Sequence, residues 1–250
     1  ADLAKAVTLS ELEDLYRPFR PKRRTRATIA KERGLEPMAL WLMMQLPKED
    51  LNAEAARYID PEKELPDTDA VLAGARDILA ESVSDDAALR KTLREMLLRE
   101  GLLETKAAKE EDSVYSMYYD YREPVARMAA HRILAVNRGE REEFLKVTLV
   151  APEEKAVAEI KRNYVRPGSE ASIQVEAACE DAWERLLFPS LEREVRNELT
   201  DRANVQAIRV FSQNLHQLLM QPPIKGKVTL GVDPGFRTGC KLAVVDENGK

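Results

Sequence analysis

Apolar side chains recur along most of this chain at three- and four-residue steps, the spacing that gathers them on one face of an α-helix. The clearest run is Leu191, Val195, Leu199, Ile208, Phe211, Leu215 and Leu218, with no internal Pro or Gly and a stop at Pro222-Pro223. Residues 191–220 are therefore predicted to form one helix of roughly 43 Å at 1.5 Å per residue. Residues 67–83 and 84–100 read as two more helices. The second carries Leu89, Leu93, Met96 and Leu97 on one face and ends at Gly101, where a helix C-cap favours Gly. Residues 27–46 keep helical spacing, interrupted at Gly34 and Pro37. Ser10 followed by Glu13 has capping-box spacing, and residues 1–7, 126–135 and 153–163 also read as helices. Pro61 and Pro66 bracket a linker, Asn137-Arg138-Gly139 reads as a turn, and residues 102–112 are polar and ambiguous.

Alternation replaces helical spacing in three places. Phe144, Lys146 and Thr148 alternate with Leu145, Val147 and Leu149, so residues 144–150 are predicted to be a strand. Residues 228–232 and 241–245 read as two more, joined by the turn-rich Asp233-Pro234-Gly235-Phe236-Arg237-Thr238-Gly239. An isolated two-stranded hairpin is marginal in water. The last 25 or so residues are thus expected to begin a domain, and the chain to be part of something longer.

Composition supports the helical reading and narrows the function. Charged residues make up 33% and aromatics 6%, with ten Gly among 250 residues. No apolar run approaches the 18 residues of a membrane span; the richest, 38–46, is short and contains Gln45. Cys179 and Cys240 are the only cysteines and sit far apart, which excludes a disulfide scaffold and a cysteine-rich zinc site. No secretory signal is visible, so a cytoplasmic protein without a cofactor is expected.

The formal net charge of -5 conceals an uneven distribution. Residues 17–33 hold eight basic side chains and one acid, Glu32, so the rest of the chain is strongly acidic. Within this segment Lys22, Arg23, Arg24 and Arg26 are the candidate nucleic-acid-binding residues, because Lys and Arg neutralise phosphates and release counterions. Pro18 and Pro21 are expected to keep the segment extended. The competing reading is a loop whose arginines pair with the excess acids.

Other candidates are less specific. Tyr115, Tyr118, Tyr119 and Tyr121 could stack on bases, but at helical spacing they suit a core with hydroxyls reaching surface partners. His131 beside Arg132 offers a phosphate contact or an acid/base. No Ser or Cys nucleophile sits at a recognisable spacing from it, and a lone His on a helix is more often a packed side chain with one satisfied nitrogen. His216 lies on the long amphipathic segment. Asp233 is a candidate metal ligand and catalytic acid, since a carboxylate before a tight Gly turn can hold a divalent cation. One carboxylate cannot run two-metal hydrolysis, and the competing reading is an Asp that closes its strand turn through its own backbone bonds. No other catalytic or metal-ligating residue is expected.

Three stretches together resemble the bacterial Tex family of transcription accessory factors. They are Leu12-Glu-Asp-Leu-Tyr-Arg-Pro-Phe-Arg-Pro-Lys-Arg-Arg-Thr-Arg-Ala-Thr-Ile-Ala30; Tyr118-Tyr-Asp-Tyr-Arg-Glu-Pro124 with His131-Arg132; and Leu191-Glu-Arg-Glu-Val-Arg-Asn-Glu-Leu199 continuing through Gln221-Pro-Pro-Ile-Lys-Gly-Lys227 to Gly231-Val-Asp-Pro-Gly-Phe-Arg-Thr-Gly-Cys-Lys-Leu-Ala-Val-Val-Asp246. Ala130 departs from the Ser expected before the His-Arg pair. The resemblance implies a mainly α protein: an elongated helical N-terminal region (1–110) with a helix-turn-helix-like portion, then a helical region with a short strand and a long connecting helix (111–223). Residues 224–250 would begin a YqgF domain of ribonuclease H-like fold, with Asp233 matching its first-strand acid. The helix-hairpin-helix and S1 modules of such proteins are not in this sequence. The implied function is a non-catalytic scaffold for binding RNA or single-stranded nucleic acid in transcription. The alternatives are a metal-dependent RNase H-like nuclease or resolvase, and a docking arm for the transcription or translation machinery. No membrane partner is implied.

Overall fold

A computed structural model describes residues 6, 8–21, 23–109, 111–222, 224–235, 237 and 239–250. The helix expected over 1–7 therefore lies almost wholly outside the described residues. Two compact units are present, Ala1–Ala203 and Asn204–Lys250.

In the first unit, α1 (Leu9–Tyr16) starts at Thr8, whose hydroxyl accepts from the Glu11 N–H while the Glu11 carboxylate accepts from the Thr8 N–H. The capping box thus precedes the pair Ser10 and Glu13 that spacing suggested. Residues 17–19 form a 3-10 turn with Pro18 near its start, where a missing N–H costs nothing. Only at Arg20 does the chain become extended, so Pro18 does not impose the extension expected of it. A second capping box, Thr25 with Thr28, opens α2 (Arg26–Glu32). Gly34 then separates α2 from α3 (Glu36–Met44), and Pro37 occupies the first turn of α3 rather than breaking it. After α4 (Leu51–Ala56), the linker between Pro61 and Pro66 is a tight turn closed by backbone bonds between Asp60 and Leu65, and it buries Leu65.

The centre of this unit is α5 (Thr68–Ser84), capped by Asp67 and packed against α2, α3 and later α9. Gly74 allows that packing. A Cβ there would stand 2.4 Å from Cδ1 of the buried Leu35, so something would have to shift. Val71, Ala75, Leu79 and Val83 of α5 are buried at helical spacing, and each fully buried Val or Leu stabilises by about 1.5–3 kcal/mol. Next come α6 (Ala87–Glu100), β1 (Leu102–Ala107), β2 (Asp120–Pro124), α7 (Ala130–Arg141) and β3 (Leu145–Val150). The three strands form an antiparallel sheet in the order β2-β1-β3, with Thr105 opposite both Tyr121 and Val147. The tyrosines before Pro124 sit on a 3-10 turn and on β2, not on a helix. The turn expected at residues 137–139 is the interior of α7, where Gly139 lets Leu145 and Tyr115 close over the backbone.

Two helices follow, α8 (Glu153–Tyr164) and α9 (Glu170–Asp181). A π turn, Ala182–Leu187, joins α9 to α10 (Phe188–Leu219), the 32-residue helix that the apolar periodicity predicts. Up to Ala203 it buries Leu191, Val195 and Leu199. In the second unit the rest of α10 exposes Val205, Ile208, Phe211, Leu215 and Leu218. There β4 (Thr229–Gly235) and β5 (Gly239–Val245) pair antiparallel. The chain is therefore mainly α, a helical region followed by a terminal β-hairpin, as the sequence predicts.

Candidate nucleic-acid interface

The basic segment begins where α1 ends, and its cations divide by partner. Arg17 is half-buried and its Nε donates to Asp85 at 3.2 Å. Burial, and after it the nearby charge of Arg90, pull the Arg17 guanidinium below its ordinary pKa. Arg24 reaches Glu32 at 3.5 Å with both side chains largely in water, a pair worth little. Arg33 pairs with Glu64. Arg20, Arg23 and Arg26 are exposed, and among the described residues none of them has an ion pair. Lys22 lies outside the described residues.

Arg23 is also part of a groove. Arg17, Arg20, Pro21 and Thr25 from the α1–α2 connection form one wall, with Glu81 and Asp85 from the end of α5. The other wall is Arg185 and Leu186 of the π turn and Pro189, Ser190 and Arg193 of α10. The groove encloses about 480 Å³. Arg185 is tied down: its Nε donates to Asp181 at 2.9 Å and its Nη2 to Asp77, also at 2.9 Å. Burial pushes the Asp77 carboxyl up, and the Arg185 charge counters that in part. Arg193 is exposed and has no ion pair among the described residues. Neither Arg24 nor Arg26 lines this groove.

Beneath the groove lies a buried ion cluster. Arg90 is fully buried; its Nε donates to Asp14 at 2.5 Å, and its Nη2 donates to Glu194 at 2.5 Å and to the Ser190 hydroxyl at 3.1 Å. Arg94, one turn later, donates to Glu194 at 2.7 Å and to Asp14. Two guanidiniums from α6 thereby clamp α1 to the start of α10 through shared carboxylates. The sequence reading does not single out Arg90, Arg94, Arg185 or Arg193. A signal for the first two exists: they are one turn apart and flanked by Leu89, Leu93 and Leu97, so they share a face that the leucines bury.

The remaining candidates have local roles. Tyr115 and Tyr118 are buried. The Tyr115 hydroxyl donates to Glu142 at 2.7 Å, Tyr119 donates to Ser113 at 2.9 Å, and Tyr121 donates to Glu123 at 2.5 Å. Burial, reinforced by the Glu123 carboxylate, pushes the Tyr121 phenol up to about 12. These rings are core elements, as their sequence neighbourhood suggested, although the helical spacing behind that expectation is absent. Arg132 pairs with Glu123 at 2.6 Å, and His131 and His216 are exposed. Cys179 is buried and its thiol is pushed up to about 12 by that burial, which removes it as a nucleophile near neutral pH. Asp233 is exposed inside β4, opposite Lys241, rather than in a turn after the strand. Among the described residues no group of three or more His, Cys, Asp or Glu side chains is placed to hold a metal ion.

Comparison with known proteins gives these elements a context. A family model for the Tex central region matches residues 46–211, and one for the Tex protein YqgF-like domain matches residues 227–250. The chain is 45% identical to the uncharacterized protein YdcI of Bacillus subtilis, over 99% of this chain and 35% of that protein. It is 39% identical to the transcriptional accessory protein Tex of Neisseria gonorrhoeae, over 100% of this chain and 34% of that protein. A human S1 RNA-binding domain-containing protein 1 is 29% identical over 95% of this chain and 25% of its own length. The chain thus spans about a third, or less, of the length of these curated relatives.

Proposed function

The chain belongs to the Tex family, and from that premise we propose that it is a non-catalytic scaffold that binds RNA or single-stranded nucleic acid in transcription. One observation carries this reading. In an acidic chain, Arg20, Arg23 and Arg26 stand exposed on one connection without ion pairs among the described residues. An arginine that only solubilises the surface of an acidic protein has many carboxylates to pair with. A patch left unpaired is a footprint for an anion, and phosphates are bound through this charge term. Lys22, Arg23, Arg24 and Arg26 are the residues assigned to the contact. The names of the relatives, a transcriptional accessory protein and an S1 RNA-binding domain-containing protein, point the same way. The site of action is the cytoplasm. No helix among the described residues is long and apolar enough to cross a membrane.

The test is anisotropy of a labelled single-stranded RNA with the 250-residue chain at rising salt. The expected result is binding at low salt whose logarithm falls linearly with the logarithm of salt, at about 0.7 per neutralised phosphate. No binding at low salt contradicts the reading. The non-catalytic half is tested with single-stranded and branched nucleic acid plus Mg²⁺ or Mn²⁺. No cleavage is expected, because Asp233 alone cannot assemble a metal pair. Cleavage that Asp233→Asn abolishes would show a nuclease instead.

A further inference from the structure

The groove on the α1–α2 connection has a second wall that the basic segment does not supply. We propose that this groove holds the phosphodiester backbone of one nucleic-acid strand, with Arg20 and Arg23 on one side and Arg193 of α10 on the other. The proposal rests on the nucleic-acid reading above and adds to it a defined site and a residue, Arg193, 170 positions away from Arg23.

Charge is the first argument. Five arginines and two carboxylates line the groove. Both carboxylates already have partners: Asp85 accepts from Arg17, and Glu81 accepts from the Thr25 hydroxyl at 2.9 Å. Arg185 is held by Asp77 and Asp181. Arg20, Arg23 and Arg193 have no carboxylate of their own among the described residues. Arg90 touches Ser84 and Ser190 under the floor, at 3.4 and 3.1 Å, but its charge is matched there by Asp14 and Glu194, so the groove's own unpaired arginines supply its charge. An anion entering here supplies the counter-charge that these three arginines lack.

Fixed geometry is the second. Asp14 of α1 and Glu194 of α10 grip the same two buried arginines. Arg17 follows Asp14 by one helical turn, and Arg193 is the residue before Glu194. The cluster therefore fixes the end of α1 relative to Arg193, and Arg20 and Arg23 follow on the connection from that anchored end; a site anchored in this way costs less to fill.

The third is the chemistry of the lining. Guanidinium forks engage two phosphate oxygens at once, which a lysine ammonium does not. Pro21, Leu186 and Pro189 place apolar surface between the cations, suited to the sugar and base edges of a strand. A concave groove of this volume admits one backbone and leaves a duplex on its rim.

The test uses the 250-residue chain and a short fluorescein-labelled oligouridine, titrated over a salt series. Arg20→Ala with Arg193→Ala is the principal variant, and both positions lie outside the set assigned to the basic segment. The expected result is a slope smaller by about 1.4, two phosphates at about 0.7 each, with an unchanged thermal unfolding midpoint. Arg20→Lys with Arg193→Lys should keep the slope and weaken binding, because charge remains and the fork is lost. A duplex of the same length should bind more weakly than the single strand. If the wild-type chain binds the strand and the Ala pair leaves the slope unchanged, the groove is overturned while the basic-segment reading stands. If the wild-type chain does not bind the strand at low salt, both fall together. If polyglutamate of equal charge displaces the strand as well as unlabelled oligouridine does, the groove is an acidic-peptide site and the proposal is wrong.

Discussion

Arg90 and Arg193 carry the same guanidinium into opposite surroundings. Arg90 is fully buried on α6 and surrounded by Asp14, Glu194 and Ser190. Arg193 sits beside Glu194 in sequence, yet it faces open solvent with no carboxylate partner among the described residues. The buried region spends its charge on internal pairing, and the groove holds charge in reserve. Counting basic residues cannot separate the two; which of them already has a partner does. For this reason the net charge of the chain says little about its ligand, and the distribution of unpaired cations says more.

The largest expected effect tests the buried side. Arg90→Ala leaves two carboxylates in a desolvated site with one cation fewer. Breaking a buried pair in this way costs about 3–5 kcal/mol. Urea unfolding should show that loss as a lower midpoint. A change under about 1 kcal/mol would mean that the cluster is as weak as a surface pair, and the comparison would collapse.

A packing substitution gives the next effect. Gly74→Ala places a methyl against Leu35 at a distance that forces movement, and overpacking costs about 1–3 kcal/mol. Strand binding should survive in the folded fraction, because Gly74 faces Ala30 of α2 and Leu35 just before α3 and does not line the groove. Loss of binding without loss of stability would show that the groove depends on core packing more than on its own ion pairs.

Much of the scaffold is legible in the sequence, and the reasons are physical. The helix α10 and the pair α5 and α6 announce themselves because their apolar residues keep helical spacing, which neither Gly74 within α5 nor Pro189 in the first turn of α10 disturbs. β3 does so because its leucines and valine alternate with Lys146 and Thr148. By contrast, β1 carries Glu104, Thr105 and Lys106 on a strand that only pairing with β2 and β3 stabilises, so its local pattern is silent. Gly139 reads as a turn residue because a close tertiary approach leaves no mark in local spacing. The basic segment is visible as a charge run, but half of the groove comes from Arg185 and Arg193. Those lie in a helical stretch where acids outnumber bases, so no charge run marks them, and only the fold sets them opposite Arg20 and Arg23.

Alkaline pH acts on the interior. The Tyr164 phenol is buried and donates to Asp86 at 2.6 Å, and that burial, with the carboxylate beside it, raises its pKa well above the model-compound value of 10.0. The unfolded chain therefore ionises this tyrosine first. Its contribution to stability is fully present below pH 10 and is lost as pH rises from there toward the folded value. Tyr164→Phe should flatten that part of the pH–stability curve.

The central claim is that the cations of the basic segment meet phosphate. The most direct measurement compares the salt dependence of single-stranded RNA binding by the wild-type chain and by the variant with Lys22, Arg23, Arg24 and Arg26 all replaced by Ala. If each contacts one phosphate, the slope of log affinity against log salt falls by about 3, with folded stability changed only modestly. Identical slopes for the two proteins would contradict the account and leave this segment as structure or as a protein-docking surface.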